Sequence, residues 1–435
     1  MSFIIRNISM LYGHDLHFID KGFICIDAKG IIIDLGEEDT YQDQYNFINT
    51  KVYDGRGFLV IPGFINSHTH IADSIGKDIS ISSTFNEMIN PIYGIKKKIL
   101  NRSFEEHLRY FIRTSAISMI KKGTIYFIDF REGGPKGIEL LKEATIDLPI
   151  KSVILGRVEY YFDLKNILKN KQQTKKQNSD EKLVKLSKPS LESLSKVLEL
   201  SDGLGLSGAN ENTDDALKQY KNTVRKFNKN NCSSHKKKLI AIHAAESKST
   251  IQFSKLCTGK TEVERIMNFL KPDILIHMTH ANTQDFTLAL SNKVGGIVLC
   301  PRSNGILGNG IPDVVTMLKF GFKIALGTDN IMLNSADLLQ ELDYLWKVIK
   351  SRSSKYSNLI DPKELLKMIT VNPGEIFNLN SGSIQIGKCA DLLFIDKYDI
   401  DLQPIHNIYS SIIHRLSYRA IKAIMINGRF INEIP

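Results

Sequence analysis

The feature that most constrains the fold is a series of eight short apolar runs between positions 58 and 329, separated by stretches with the periodicity of amphipathic helices. Alternation of buried strands with helices is typical of βα units around a parallel sheet. Eight such units are the number that closes into a (β/α)8 barrel. The sequence therefore predicts an α/β fold with a TIM-like barrel, whose strands lie in FLVIPGFIN, GTIYFIDF, IKSVILGR, DGLGLSG, KLIAIHAA, PDILIHMTH, VGGIVLC and FKIALGTD.

The first of the intervening helices carries its own boundary signals. Ser103 and Glu106 have the spacing of a capping box, which is typical of a helix start. Lys121, Lys122 and Gly123 have the composition typical of a helix end. These signals predict a helix from Ser103 to Lys122.

The two ends of the chain contain short apolar runs interrupted by Gly and Asp, a pattern typical of small antiparallel strands. FIIRNISM and KGFICIDAKGIIIDLG lie near the start, and SGSIQIGKCADLLFIDKYD and RAIKAIMINGRFI lie near the end. We expect these segments to pair into one small β-sandwich domain. Its two parts are residues 1–57 and 381–435, and residues 58–380 form the barrel.

Positive charge is concentrated in one segment of the chain. The formal net charge is +10, and six of these charges lie in a lysine-rich stretch at about 164–189. This stretch is interpreted either as a solvated insertion of the barrel or as a basic arm that binds nucleic acid. Charge runs are usually solvated, and stacking aromatic residues are missing from this one. We therefore expect an insertion and no nucleic-acid partner.

The sequence shows no signal for a membrane or for an oxidising compartment. No stretch approaches the roughly 18 apolar residues that a membrane helix needs, and the apolar run at the start breaks at Arg6. The five cysteines are scattered and contain no CxxC pair, so they are predicted to be reduced thiols. We expect a cytoplasmic protein with a small-molecule substrate and leave homo-oligomerisation open.

Potential metal ligands stand at the ends of several predicted strands. His68 and His70 are two residues apart on an extended strand, so both imidazoles face one side, where they can converge on one metal. His243 closes the fifth strand, His277 the sixth and Asp329 the eighth. Taken singly, each also fits a cap or a turn. Catalytic groups of such barrels come from the carboxyl ends of different strands, so together these residues predict one shared site.

The motifs PGFINSHTH, HAAES, IHMTH, CPRSN and LGTDN, in this order, resemble the amidohydrolase superfamily. Within it, HxxE after the fifth strand and CPxSN after the seventh resemble the branch that holds methylthioadenosine/S-adenosylhomocysteine deaminases, guanine deaminases and triazine chlorohydrolases. The resemblance covers nearly the whole chain except the lysine-rich stretch. It implies a barrel beside a β-sandwich built from both ends of the chain.

The resemblance also implies one divalent metal ion with four ligands, namely His68, His70, His243 and Asp329. Three nitrogens and one carboxylate suit zinc as the first choice and iron as the second. Some members of the superfamily hold two metals through a carbamylated lysine after the fourth strand. The run DGLGLSG has no lysine, so a single ion is expected.

Proton transfer in such a reaction requires further side chains. A divalent metal lowers the pKa of bound water toward roughly 7, which makes it a nucleophile at neutral pH. Glu246 is then placed to protonate a ring nitrogen and afterwards the leaving amine. His277 and Asp329 are placed to take the proton of the attacking water and to orient it.

The remaining candidates concern the substrate. The loop CPRSNGILGNGIP leaves the seventh strand on the catalytic face, so we expect it to line the pocket. Arg302 in this loop is a candidate for binding a polar or anionic group, with a surface salt bridge as the alternative. Arg157, which ends the third strand, is a second candidate. Asp73, Lys77 and Asp78 are expected to make the side next to the first ligands polar.

Together these patterns predict a metal-dependent hydrolase of carbon–nitrogen bonds other than peptide bonds. The favoured activity is that of an aminohydrolase (deaminase) of an amino-substituted heterocycle or nucleoside-like compound. One alternative is a cyclic amide or imide hydrolase that uses the same site. The other is a catalytically silent barrel that serves as a binding scaffold. Without any CxxC, the other zinc deaminase architecture is excluded.

Overall fold

The computed structural model describes residues 2–42, 50–79, 82–160, 162, 185–230, 236–352 and 360–431. Within them the strands β1 to β17 are Ser2–Tyr12, His17–Ile26, Ile32–Glu37, Thr50–Asp54, Phe58–Pro62, Phe64–His70, Thr124–Arg131, Lys151–Gly156, Gly203–Leu206, Leu239–Ala244, Ile274–His277, Gly296–Leu299, Ile324–Leu326, Asp329–Asn330, Leu392–Asp396, Ile421–Ile426 and Arg429–Phe430. The helices α1 to α15 are Phe85–Ile89, Ile95–Arg102, Glu105–Lys121, Gly134–Thr145, Lys188–Leu200, Asp214–Asn230, Lys248–Thr258, Glu262–Arg265, Thr283–Ser291, Pro301–Ile306, Val314–Lys319, Leu338–Arg352, Pro362–Lys367, Val371–Ile376 and Ile408–Arg415.

Strands β6 to β14 form one parallel sheet in the order β13-β12-β11-β10-β9-β8-β7-β6-β14. Its two edge strands, β13 and β14, are consecutive pieces of the eighth apolar run. β13 pairs with β12, and β14 pairs with β6, where Asp329 lies opposite Thr69. The sheet therefore curls until its last run reaches its first, which fits a TIM-like barrel. A Cβ at Gly327 would lie 2.6 Å from the backbone nitrogen of His68, so the closing segment requires glycine there.

All eight apolar runs contain a strand of this barrel sheet, as the sequence predicted. Strands β9, β11, β12 and β13 are buried along their whole length. A parallel strand that is covered on both faces buries every side chain, so its sequence is a continuous apolar run. The helix α3 packs beside them through an apolar stripe at helical spacing that includes Leu108, Ile112 and Met119.

The predicted start of α3 is wrong. The helix begins at Glu105 after Phe104, and no side chain caps it. Ser103 instead ends the preceding helix α2, where its hydroxyl donates to the carbonyl oxygen of Ile99 at 2.8 Å. Because α2 and α3 are separated by only two residues, Ser103 could cap the end of α2 or the start of α3. Its hydroxyl caps the end of α2.

The two ends of the chain share a second sheet, as expected, and we call β1–β5 with β15–β17 the terminal sheet. Its strands follow the order β17-β16-β15-β5-β1-β2-β3, with β4 also beside β1. All its pairings are antiparallel except those of β1 with β4 and β5. The closure of this sheet into a sandwich and the domain boundaries stay predictions.

The first apolar run, FLVIPGFIN, was expected to be a single barrel strand, and this expectation is wrong. Its first half is β5, which pairs with β15 of the terminal sheet, and its second half is β6 of the barrel. Pro62 has no N–H to donate and Gly63 follows it, so the strand ladder is interrupted between the two halves.

Residues 164–184 of the lysine-rich stretch lie outside the described residues, and its interpretation stays a prediction. The four cysteines that the structure describes form no disulfide, whereas Cys232 is outside the described part. In the described ranges, none of the helices combines the length and the apolar character required to cross a bilayer.

Candidate metal centre

The four residues predicted as ligands converge at the carboxyl ends of the barrel strands, which we call the barrel mouth. His68, His70, His243 and Asp329 each offer one atom, and these atoms all lie within 4.8 Å of one another. His68 Nε2 is 3.2 Å and His70 Nε2 is 3.5 Å from Asp329 Oδ1. All four side chains are buried. We refer to this set as the ligand cluster.

Several residues at strand termini near the mouth have unusual backbone conformations. Asp329 has a φ of 57°, His277 of 72°, Met278 of 49° and Ala245 of 49°. Positive φ in residues other than glycine costs on the order of 1–3 kcal/mol and persists only where the surrounding packing enforces it. Ala245 follows β10, His277 and Met278 lie at the end of β11, and Asp329 begins β14, so each of these four residues lies at a strand terminus near the mouth.

Hydrogen bonds to the Nδ1 atoms orient two of the imidazoles. His243 Nδ1 lies 2.8 Å from the carbonyl oxygen of Leu206. His70 Nδ1 lies 3.2 Å from the carbonyl oxygen of Phe130 and 2.7 Å from Glu132 Oε1. Because these partners accept, each Nδ1 carries the proton and each Nε2 keeps a lone pair. This is the arrangement that a metal-binding histidine needs.

The ligand cluster has the charge state of a cation site. Burial lowers the pKa of His68, of His243 and of His70, the last to about 4, so the imidazoles are neutral. Burial alone would raise the pKa of Asp329, but His68 and the nearby imidazoles hold it well below its usual range. Neither nitrogen of His68 makes a hydrogen bond, and neither does Asp329 Oδ1. Three neutral nitrogens and one buried carboxylate therefore fit a divalent metal ion.

Glu246 and His277 stand next to the ligand cluster, as the sequence predicted. Glu246 Oε2 is 3.6 Å from His277 Nε2, and both residues offer atoms within 4.8 Å of Asp329. Burial, followed by the charge of Asp329, raises the pKa of Glu246 well above its usual value. Burial lowers the pKa of His277 to about 4. A carboxyl group whose protonated form is favoured therefore adjoins a neutral imidazole.

The loop after β12 supports the site from behind. Ser303 Oγ donates to Asp329 Oδ2 at 2.6 Å, and Asn309 Nδ2 donates to Glu246 Oε1 at 3.3 Å. The loop was expected to line the pocket, but among the described residues it does not. Sequence reasoning noted the motif and overlooked Ser303, because a hydroxyl at a helix start is most often a cap.

A cavity of about 670 Å³, including its open mouth, lies above the ligand cluster. Phe85, Ile89 and Pro91 contribute apolar side chains to its wall. The charged residues that line it, beyond the ligand cluster, are Lys96, Arg157, Glu211, Glu246 and Glu262.

Of the two arginines predicted for substrate binding, the structure places Arg157 in the cavity wall. Arg302 is not among the described residues of that wall. Its Nη1 lies 3.6 Å from Glu341 Oε1 and donates to the carbonyl oxygen of Ser335 at 3.2 Å. This is the salt bridge considered as the alternative, although Glu341 is fully buried. Contact of either arginine with substrate stays a prediction.

The expected polar side formed by Asp73, Lys77 and Asp78 is wrong. Asp73 is a buried residue of the short 3-10 helix Ile71–Gly76, and its Oδ1 accepts from the backbone N–H of Met332 at 3.0 Å. Lys77 and Asp78 line a different cavity. Asp73 does not line the mouth cavity either, although its Oδ2 lies 3.5 Å from Nζ of Lys96, which does.

Two functional candidates were missed from the sequence, namely Glu132 and Lys96. Glu132 follows β7, and burial would raise its pKa, but Lys96 and His70 hold it well below its usual range. Lys96 Nζ lies 2.8 Å from Glu132 Oε1 and donates to Asn330 Oδ1 at 2.8 Å. The strand-end rule could have found Glu132, whereas Lys96 comes from α2 and carries no signal in the sequence.

Comparison with known proteins supplies relatives over the whole chain. The family model described as Amidohydrolase family matches residues 59–431. A putative aminohydrolase of Methanothermobacter thermautotrophicus is 32% identical over 430 residues, which are 99% of both chains. A 5-methylthioadenosine/S-adenosylhomocysteine deaminase of Thermococcus sibiricus is 26% identical over 443 residues, covering 99% of this chain and 94% of the relative.

Solved structures with the same fold include two with informative ligands. Guanine deaminase from C. acetobutylicum, with guanine bound in its active site, superposes with a TM-score of 0.77 at 18% identity, covering 99% of this chain and 100% of the other. Atrazine chlorohydrolase from Arthrobacter aurescens, complexed with zinc, has a TM-score of 0.77 at 17% identity, with coverages of 99% and 95%. At these identities the likeness shows the barrel fold alone.

Proposed function

The chain belongs to the amidohydrolase family and is a hydrolase of carbon–nitrogen bonds other than peptide bonds, and from this premise we propose that it is a single-metal aminohydrolase. Its proposed substrate is an amino-substituted heterocycle or nucleoside-like compound, from which it releases ammonia. Zinc is the proposed ion, with iron as the second choice. Its proposed place of action is the cytoplasm.

The observation that carries this proposal is the pairing of the ligand cluster with a protonated carboxyl. His68, His70, His243 and Asp329 present four ligand atoms within 4.8 Å of one another. Glu246 adjoins them with a pKa raised by burial and by the charge of Asp329. Two nearby carboxyl groups with pKa values pushed apart are the arrangement that separates a proton donor from an ionised partner.

When bound, the metal would lower the pKa of water toward about 7 and so supply a nucleophile at neutral pH. His68, His70, His243 and Asp329 would hold it, since their free lone pairs face one another. The other steps belong to the chain's own side chains.

Each neighbouring side chain has a proton task that its surroundings favour. Burial and the charge of Asp329 raise the pKa of Glu246 and favour its protonated form, so it is suited to donate to a ring nitrogen and then to the departing amine. His277 is neutral, so it is suited to accept the proton that the attacking water releases. Ser303 holds the second oxygen of Asp329 at 2.6 Å, which keeps the carboxylate oriented.

The cavity supports a ring-shaped polar substrate. Its lining includes Phe85, Ile89 and Pro91, which suit the face of a ring, together with polar groups that suit its edges. The names of the relatives, deaminases of methylthioadenosine and guanine among them, agree with a substrate of this class.

The test couples metal content with ammonia release. Purified protein is analysed for bound elements and is then assayed for ammonia across purines, pyrimidines, pterins and adenosine derivatives. We expect about one zinc or iron per chain and ammonia from one compound class. Bound metal without ammonia from any compound, but with ring opening of a cyclic amide or imide, would replace this proposal with the cyclic-amide hydrolase. Protein without affinity for zinc or iron would contradict the metal site itself and favour the scaffold.

A further inference from the structure

A buried carboxylate stands behind one member of the ligand cluster. Glu132 Oε1 lies 2.7 Å from His70 Nδ1, on the side of the ring that faces away from the cluster. The carbonyl oxygen of Phe130 lies farther from the same nitrogen, at 3.2 Å. The Phe130 carbonyl accepts the hydrogen bond of Nδ1, and the Glu132 carboxylate adds an ion-pair contact to the same nitrogen. A carboxylate at this distance favours a proton on Nδ1 and so leaves the lone pair on Nε2.

Glu132 is itself held by a buried ammonium group. Lys96 Nζ lies 2.8 Å from Glu132 Oε1 and 3.5 Å from Asp73 Oδ2. It also donates to Asn330 Oδ1 at 2.8 Å. Asn330 directly follows Asp329 in β14. Lys96 therefore connects the carboxylate behind His70 with the strand that carries another member of the ligand cluster.

Burial of the Lys96–Glu132 ion pair costs free energy of folding. Glu132 and Lys96 are each 7% exposed. Removing two charges from water costs several kcal/mol per ion, and well-packed apolar residues of similar volume often stabilise a protein equally well. A gain in folding stability is therefore a weak reason for a buried ion pair in this place. Its contacts with His70 and Asn330 provide a stronger one.

We propose that Lys96 and Glu132 are positioning residues for the metal, acting through His70. Glu132 fixes the ring orientation and the tautomer of His70, so that Nε2 points into the ligand cluster. Lys96 fixes Glu132 and anchors Asn330 beside Asp329. Partners of this kind typically change metal affinity or activity by about 10–100-fold when they are removed. The inference rests on the metal site of the proposed function.

The experiment measures zinc affinity of the full-length protein after metal removal, by competition with a chromophoric chelator. Glu132→Gln and Lys96→Met should each weaken zinc binding by about 10–100-fold. Lys96→Arg keeps the positive charge and should retain more of the affinity than Lys96→Met. Thermal unfolding of the zinc-free variants shows that each measurement is made on folded protein.

Lys97→Met is the matched control. Lys97 is the next residue of the same helix and pairs with Glu159, and its side chain is 23% exposed. Lys97→Met loses a charge and an ion pair as Lys96→Met does, but this ion pair is with Glu159 instead of Glu132. Its zinc affinity should equal that of the wild type, so a decrease as large as that of Lys96→Met would overturn the inference.

The outcomes separate this inference from the proposed function. Wild-type zinc affinity in Glu132→Gln and Lys96→Met would overturn the positioning pair while leaving the metal site in place. Failure of the wild type itself to bind zinc would contradict the metal site instead. Should Glu132→Gln not fold, the two Lys96 variants decide alone, and equal affinity in Lys96→Met, Lys96→Arg and the wild type would refute the proposal.

Discussion

The terminal sheet and the barrel mouth bury different kinds of side chain. The core of the terminal sheet joins many apolar side chains, which are Phe3, Ile5, Ile8, Met10, Ile24, Ile26, Ile32, Val60, Ile384, Ala390, Leu392, Phe394 and Met425. It buries few polar groups, such as Ser9 of β1. The barrel mouth buries imidazoles, carboxylates and an ammonium group instead, among them His68, Asp329 and Lys96. Both regions bury side chains, but the chemistry of the buried groups is opposite.

This difference separates stability from function. Apolar burial stabilises by roughly 25 cal/mol per Å² and depends little on protons or metal ions. Buried ionisable groups are costly unless they are paired, and their pKa values move far from the usual range. The terminal sheet should therefore govern folding stability, and the mouth should respond to metal and pH. Four changes test this separation.

His68→Ala should have the largest effect, because it removes one of the four proposed metal ligands. Neither ring nitrogen of His68 makes a hydrogen bond in the described structure, which leaves metal binding as its role. We expect the variant to lose its bound metal and with it all detectable ammonia release, while the protein stays folded. Elemental analysis and circular dichroism measure the two properties. Ile24→Val in the terminal sheet is the control and should keep one metal per chain. Stoichiometric metal in His68→Ala would refute its role as a ligand.

Glu246→Gln should retain the metal and lose turnover. A neutral amide cannot supply the proton of the raised-pKa carboxyl, so kcat should fall by about 10²–10⁴-fold or more. Steady-state ammonia release together with metal analysis checks the prediction. Glu139→Gln, an exposed position on α4, should leave both unchanged. Near-normal turnover in Glu246→Gln would exclude Glu246 as the proton donor.

Ile24→Ala should show the reverse behaviour. Ile24 is fully buried in the terminal sheet opposite Ile5, and truncation of such a side chain costs about 2–5 kcal/mol of the free energy of unfolding. Urea unfolding measures the loss, and zinc affinity measured below the unfolding transition should equal that of the wild type. A large loss of zinc affinity in the folded variant would show that the two regions are coupled.

Glu341→Gln should change the pH dependence of stability. Glu341 is fully buried on α12, and burial raises its pKa from 4.5 to about 8. Between these values the folded carboxyl keeps a proton that the unfolded one has lost, so its contribution to stability falls as pH rises. Relative to Glu341→Gln, the wild type should lose about 1.4 kcal/mol between about pH 6 and about pH 7.

Urea unfolding at the two pH values measures this shift. In the same interval the cost of Ile24→Ala should stay constant, because no titratable group is removed. If the free-energy difference between Glu341→Gln and the wild type were also constant, Glu341 would be ionised throughout, and Arg302 would outweigh its burial.

The fold was largely readable from periodicity. Strands buried on both faces appear as continuous apolar runs, so each of the eight runs could be located from the sequence. The exact ends of strands and helices were harder to predict from the sequence. The division of FLVIPGFIN depends on β15, which pairs with β5 from more than 300 residues away. Ser103 was assigned to the wrong helix because a local signal cannot tell the end of one helix from the start of the next.

The ligand cluster was readable for a related reason. Parallel strands of a barrel end at one mouth, so His68, His243 and Asp329 could be brought together without coordinates. The contacts of the side chains around these ligands could not be predicted in this way. Arg302 was a candidate for the pocket, but its guanidinium lies 3.6 Å from the buried carboxyl group of Glu341 on α12, outside the described cavity wall. Lys96 reaches Glu132 from α2, a helix in the connection between β6 and β7, and no local pattern specifies where that helix packs.

The sequence by itself determined the eight-strand alternation, the sharing of one sheet by the two ends of the chain, and the order of ligands along the strands. These depend on local periodicity and on topology, which apolar patterns encode directly. Only the tertiary structure decided which partner stands behind His70, which carboxyl stays protonated and which arginine lines the cavity. Those outcomes depend on burial and on distances of a few ångströms between residues far apart in the chain, and no local pattern specifies them.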